Sequence, residues 1–316
     1  HLLKADETLI LIARDTSYNY FKPEVKISPT NDIYIAYQAE NRNTGRSDIY
    51  LSKYGNNGTV SFVKNVSSST QHSYEPEIDI ADNGTLHIAW ADETGDKIHT
   101  IKYRSFNGSS WSDIRSLGQV SDTDEIEDLR IAVDGSGNVF VVFMYWPIAR
   151  CKFISIYGNN ISFEDFPLAG RSKHPDVDVD SNYVHIVWQY KYEGEYTIAY
   201  QRRPNSRNSA WEAWINLEYY GTQRPRMSVD NGNIPHVGFF HKQGSSSRRL
   251  VYQKWNGNGF GNPRVLSNGF ELYHFCDIVA VNSTNVIATL QKGGWSGGQY
   301  VGHNWKRGAD WKGFSP

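Results

Sequence analysis

The chain has 316 residues, a formal net charge of −2, and 14% aromatic residues against only two methionines. A pI near 6.6 excludes a bulk electrostatic drive toward nucleic acid or a membrane surface, and no apolar run approaches the roughly 18–20 residues of a membrane span. Abundant Gly, Asn and aromatic residues favour strands joined by tight turns over helices.

In chain order, ETLILIARD near the N-terminus reads as a strand. KPEVKISPTNDIYIAY, from Lys22, then sets a pattern of strand, Asn/Asp turn and second strand. It recurs as EPEIDIADNGTLHIAW from Glu75, DLRIAVDGSGNVFVVF from Asp128, HPDVDVDSNYVHIVW from His174, RPRMSVDNGNIPHVGFF from Arg224 and FCDIVAVNSTNVIATL from Phe275. The anchors Pro23, Pro76, Leu129, Pro175, Pro225 and Cys276 are spaced by 53, 53, 46, 50 and 51 residues. Each copy continues into a third strand (DIYLSKY, IHTIKYRS, CKFISIY, YTIAYQRR, RLVYQKW, QYVGHNW) and usually a fourth.

Four antiparallel strands repeated at this period describe propeller blades. The second strands are apolar on both faces, as a blade packed between two others requires. The expectation is an all-β, six-bladed β-propeller in one domain, residues 1–316. Its blades start near 22, 75, 128, 174, 224 and 275. Residues 1–17 complete the last blade, because only DWKGFSP follows its third strand. A seven-bladed ring and a pair of β-sandwiches are the competing architectures.

The pattern of anchor, N-G turn, H-hydrophobic-hydrophobic-W and YRSFNGSSW (Tyr103–Trp111) resembles the sialidase superfamily and related BNR-repeat propellers. In YRSFNGSSW, Asn107 stands where that family's box carries Asp. The repeat style is also similar to propeller polysaccharide lyases of the ulvan lyase type. The resemblance implies a carbohydrate context, with catalytic His, Tyr and Arg residues on loops around the ring axis.

In a propeller, the loop entering the first strand and the loop leaving the second converge on one face, where ligands bind. The residues before the anchors are Lys22, Glu75, Asp128, His174, Arg224 and Phe275, with His274 one earlier. Those after the second strand include Asp92 and Glu93, Tyr145 and Trp146, Gln189 and Tyr190, and His241 and Lys242. Ionisable residues of changing type at a repeated position carry the functional signal. Blades two and three supply acids; blades four to six supply bases.

Three chemistries fit. In β-elimination on a uronate polysaccharide, Arg224 and Lys242 neutralise the carboxylate, His174 or His241 takes the C5 proton, and Tyr190 or Tyr145 protonates the leaving oxygen. In a sialidase-style hydrolase, Asp92, Glu75 or Asp128 act as acid and base. In a non-catalytic propeller, the same face binds glycan. Glu75, Asp92, Asp128, Trp146, Lys242, His274 and Lys22 are the candidate substrate-binding residues. Each charged residue has a plainer reading as a solvated loop group.

His87 shares its position with His185 and His236, but also with Tyr34, Phe140 and Val286, which marks it as packing. Cys151 and Cys276 fall in opposite blades and are expected as free, buried thiols. Glu75, Asp92 and Asp128 are also candidate Ca²⁺ ligands, without a D-x-D-x-D-G run; no other cofactor is expected. Six N-x-S/T sequons and an N-terminal residue, His1, that reads as processed point to a secreted or cell-surface protein. The expected partner is a polysaccharide or glycan, and the expected state a monomer.

Overall fold

The computed structural model describes residues 2–3, 9–10, 15–55, 59–166, 170–218, 221–243, 247–267, 273–292, 300–307 and 310–315. None of these residues is helical. Strands β1 (Leu2–Leu3) and β2 (Leu9–Ile10) pair only with each other. Sheet 1 runs β3 (Tyr18–Ile27), β4 (Ile33–Asn41), β5 (Ser47–Tyr54), β6 (Val60–Asn65). Sheet 2 runs β7 (His72–Ile80), β8 (Leu86–Gly95), β9 (Ile98–Phe106), β10 (Arg115–Ser121). Sheet 3 runs β11 (Glu125–Val133), β12 (Val139–Trp146), β13 (Arg150–Tyr157), β14 (Asn160–Asp165). Sheet 4 runs β15 (Ser172–Val179), β16 (Tyr183–Tyr192), β17 (Glu195–Pro204), β18 (Ile215–Glu218). Sheet 5 runs β19 (Thr222–Val229), β20 (Pro235–Gln243), β21 (Ser247–Lys254), β22 (Arg264–Val265). Sheet 6 runs β23 (Tyr273–Asn282), β24 (Asn285–Lys292), β25 (Tyr300–Arg307), β26 (Asp310–Ser315). Six propeller-like sheets of four antiparallel strands thus follow the six sequence copies.

One expectation is corrected. The sixth sheet takes its fourth strand from β26, with Trp311 opposite Lys306 and Asp310 opposite Arg307, and not from the N-terminal segment. Only two residues separate β25 from β26, so this hairpin closes at a smaller entropic cost than pairing with a strand some 300 residues away.

The chain divides into two compact units. One comprises His1–Val141, Tyr145–Pro147 and Ile154–Phe163; the other comprises Val142–Met144, Ile148–Phe153 and Glu164–Pro316. In the first unit, sheets 1 and 2 share a core of Ile49, Leu51, Ile78, Ile88, Trp90 and Phe106. In the second, sheets 4 and 5 meet through Val187, Tyr200, Met227, Phe239 and Val251, and sheets 5 and 6 through Phe240, Leu250, Ile278 and Val286. Each of these aromatic or branched residues adds about 2 kcal/mol on burial.

The first strand of each sheet leaves one edge unpaired, and its N–H groups need partners. The neighbouring first strand supplies them. Asp79 accepts from the Val133 N–H at 2.8 Å in the first unit; in the second, Asp176 accepts from Met227 at 2.7 Å, Asp178 from Val229 at 2.6 Å, and the Ser228 hydroxyl from Ala280 at 3.1 Å. Every one of these links spans one repeat.

The hairpin turns repeat as well. Asp134, Asp180 and Asp230 each accept two backbone N–H groups two to four residues on. In sheets 4 and 5 the other carboxylate oxygen holds a histidine, His185 Nε2 at 2.9 Å and His236 Nε2 at 3.0 Å. The opposite ring nitrogens meet Tyr200 and Tyr252, each at 2.7 Å. His87 makes the same contact with Tyr103 at 2.7 Å, but Ala81 occupies the turn position of the aspartates, and His87 Nε2 has no partner among the described residues. Burial lowers His87 to a pKa of about 4, so it is neutral, a packing residue. In YRSFNGSSW, Asn107 Oδ1 accepts from Ser109 and Ser110 at 3.0 and 2.8 Å, performing the turn-capping role of an aspartate.

Candidate functional site

The residues before the anchors share an unusual backbone. Lys22, Glu75, Asp128, His174 and Arg224 have φ of 48°, 51°, 50°, 49° and 52°. Non-glycine residues pay about 1–2 kcal/mol for this left-handed conformation. In sheets 1, 2, 4 and 5 the register shifts at the same place, between Phe21 and Glu24, Tyr74 and Glu77, Lys173 and Asp176, and Gln223 and Arg226. A bulge of this kind re-aims a side chain at the end of a strand. Repeated strain at five ionisable residues is the kind of outlier that accompanies function. In sheet 6 the shift lies between Tyr273 and Phe275; the side chain of His274 lies outside the described residues.

In the first unit the bulges gather Lys22, Glu75 and Asp128. Lys22 Nζ lies 2.7 Å from Glu75 Oε1, with the Glu75 side chain 9% exposed and that of Lys22 54%. Burial pushes the Glu75 carboxyl above its ordinary range; Lys22 pulls it back and Asp128 adds to the rise. Lys22 is raised overall by Glu75 and Asp128, against the opposing effect of its own burial. Beside Glu75, the Tyr74 hydroxyl accepts from the Ile126 N–H at 3.2 Å and meets His99 Nδ1 at 2.6 Å. The phenol proton then points at Nδ1, which places the histidine proton on Nε2. Burial raises Tyr74 and lowers His99.

Asp92, near the end of the second strand of sheet 2, is a buried residue. It is 5% exposed, and its Oδ1 accepts from Ser73 at 2.7 Å and Trp90 Nε1 at 2.8 Å. Burial raises its carboxyl. His72 Nδ1 accepts from the Ser47 N–H at 3.1 Å. Tyr145 is 8% exposed, and the Trp146 carbonyl accepts from the Asp124 N–H at 3.0 Å.

The second unit is cationic at the corresponding strand ends. His174 stands in the bulge of sheet 4, two residues beyond Ser172, which lies opposite Tyr190; Lys173 lies opposite Gln189. Gln189 is 3% exposed, and its Oε1 accepts from the Arg224 N–H at 3.5 Å, tying sheet 4 to the bulge of sheet 5. In β20 and β21, His241 lies opposite Arg249 and Lys242 opposite Arg248. Directly opposed like charges are destabilising in a sheet. Burial and the neighbouring Arg224 both lower Arg248. Lys191 and Lys173 approach the Tyr196 ring at 6.0 and 5.6 Å. Such a surface suits a carboxylate or sulfate.

The structure therefore gathers Lys22, Glu75 and Asp128 in one unit, and His174, Tyr190, Arg224, His241 and Lys242 on adjoining sheets of the other. Tyr74, His99, Arg248 and Arg249 were not among the sequence candidates. The doublet in SRRLVYQK, opening a third strand, was the available signal for the arginines; Tyr74 and His99 carry none, since their pairing is set by sheet register. Among the described residues, no group of three or more His, Cys, Asp or Glu side chains is arranged to hold a metal ion. Cys151 and Cys276 are free and buried, and burial pushes the Cys276 thiol up to about 12.

No family model and no curated relative matches the chain. Among solved structures it is similar to a protein of unknown function from Dyadobacter fermentans, with a TM-score of 0.57 and 11% identity over 94% of this chain and 96% of that one. It is similar to a polysaccharide lyase, a PL25 ulvan lyase bound to -[GlcA(1-4)Rha3S]-, with a TM-score of 0.58 and 11% identity over 92% and 80% of the two chains. Trypanosoma rangeli sialidase gives 0.54 and 12% over 95% of this chain and 56% of that one. At these identities the likeness is one of fold: the chain resembles the propellers of sialidases and ulvan lyase.

Proposed function

We propose that the six sheets are the blades of one carbohydrate-active β-propeller domain, and that it cleaves an acidic, uronate-containing polysaccharide by β-elimination. The observation that carries this reading is the cationic end of sheet 5, where Lys242 opposes Arg248 and His241 opposes Arg249 beside the bulge of Arg224. The like charges of Lys242 and Arg248 are relieved by an anionic ligand, and a uronate carboxylate supplies one. Arg224 and Lys242 neutralise that carboxylate and thereby acidify the C5 proton. His174 or His241 removes it, the C4–O bond breaks, and the Tyr190 hydroxyl protonates the departing oxygen. The products are a fragment ending in an unsaturated uronate, its new non-reducing end, and a fragment with a new reducing end at the protonated oxygen. The ulvan lyase it resembles in fold was solved with a uronate-containing glycan bound, and a secreted or cell-surface location suits such a substrate.

A second reading, glycoside hydrolysis with Glu75 as acid, is favoured by the burial of that carboxyl beside Lys22 and Asp128. Incubation with a panel of uronate polysaccharides separates the two. Unsaturated product supports elimination, whereas new reducing ends without it support hydrolysis.

A further inference from the structure

A groove of about 560 Å³ lies on sheet 2, lined along β9 and β10 and by Thr94. Its volume is in the range of small-ligand sites. One part of its wall is apolar, from Ile98 and Leu117. The other is polar. Lys102 Nζ is 2.9 Å from the Ser116 hydroxyl and, among the described residues, makes no ion pair. The Thr94 and Thr100 hydroxyls lie 3.0 Å apart. The Gln119 carboxamide is exposed and makes no hydrogen bond among the described residues. Gly118 lies on the groove where β10 shifts register between Ser116 and Gly118, and its missing Cβ lets the Phe163 ring of sheet 3 pack against the strand.

We propose that this groove is a second binding site, for uncharged pyranose units of a glycan. A sugar ring offers a C–H face and a fringe of hydroxyls that both donate and accept. The partly exposed Ile98 side chain, backed by the buried Leu117, matches the first. The Lys102 ammonium, the Gln119 carboxamide and the hydroxyls of Thr94, Thr100 and Ser116 match the second. The site would hold substrate or product through residues of the first unit alone, and it does not depend on the elimination reading.

The test is amide-shift mapping by NMR of the full chain with cellotetraose, xylotetraose and mannotetraose. At least one is expected to move the amides of Thr94, Lys102 and Gln119. Lys102→Ala or Gln119→Ala should then weaken that sugar about tenfold, while Lys242→Ala leaves it unchanged. All three sugars leaving these amides unmoved at millimolar concentration, or an affinity indifferent to both substitutions, overturns the proposal. Gln119 is exposed and Lys102 half-buried, neither belongs to the apolar core, and the dispersed amide spectrum of each variant checks its fold. A uronate response that persists at Lys242 while the groove is silent ends this proposal alone; the converse ends the elimination reading alone.

Discussion

Lys22 and Glu75 form an ion pair across adjacent sheets at 2.7 Å, and both take the left-handed backbone conformation. The Glu75 carboxyl is nevertheless held above its ordinary range by burial, with Asp128 adding to the effect. A carboxyl raised in the folded state takes up its proton before the unfolded chain does, so the folded state gains stability as pH falls through the Glu75 midpoint. Carboxyl titration by NMR is expected to show a midpoint above that of a free glutamate. Lys22→Met should raise it further, and Asp128→Asn should lower it.

His87 has the opposite sign. Its pKa of about 4 lies below the ordinary 6.5, so stability is lost as pH falls from 6.5 toward 4, by about 3 kcal/mol at most. The Ala81→Asp variant should restore the turn cap and histidine partner that Asp180 and Asp230 provide, gaining about 1 kcal/mol at neutral pH. It should also reduce the loss in acid. Urea denaturation across pH 4–7 measures both.

The repeat, the hairpins and the anchors were legible in the sequence because each depends on local chemistry: alternation of apolar residues, Asp and Asn turns, a fixed spacing. The packing role of His87 was legible because its position accepts Phe and Val in other copies. The left-handed bulges were not, since Lys, Glu and Arg carry no signal for positive φ as Gly or Asn would, and Asp128 and His174 carry only a weak one. The burial of Asp92 was within reach, because it shares a strand face with Trp90, two residues away. The fourth strand of sheet 6 was hidden in DWKGFSP, too short and too polar to read as a strand by pattern.

His174→Gly and Arg224→Gly should each raise stability by about 1 kcal/mol, because glycine adopts the observed φ without strain. Both should lose uronate cleavage. A stabilised but inactive protein in thermal melts and activity assays marks strain retained for function; stability loss without change in activity would argue that these bulges serve packing.

Lys242→Ala and Arg248→Ala remove one member of a directly opposed cationic pair. Each is expected to leave stability unchanged or improved by a few tenths of a kcal/mol and to weaken binding of oligogalacturonate about tenfold. Wild-type binding should fall steeply with salt, and the variants less so. Calorimetric titration at two ionic strengths reads both effects.

The elimination reading is tested most directly by following ultraviolet absorbance of unsaturated uronate as the protein is incubated with a panel of uronate polysaccharides. The expected result is a rise with at least one polysaccharide, lost in Arg224→Ala and in the His174→Ala, His241→Ala double variant while the fold persists. Folded protein that gives no absorbance change across the panel, or a rise indifferent to both variants, would contradict the account.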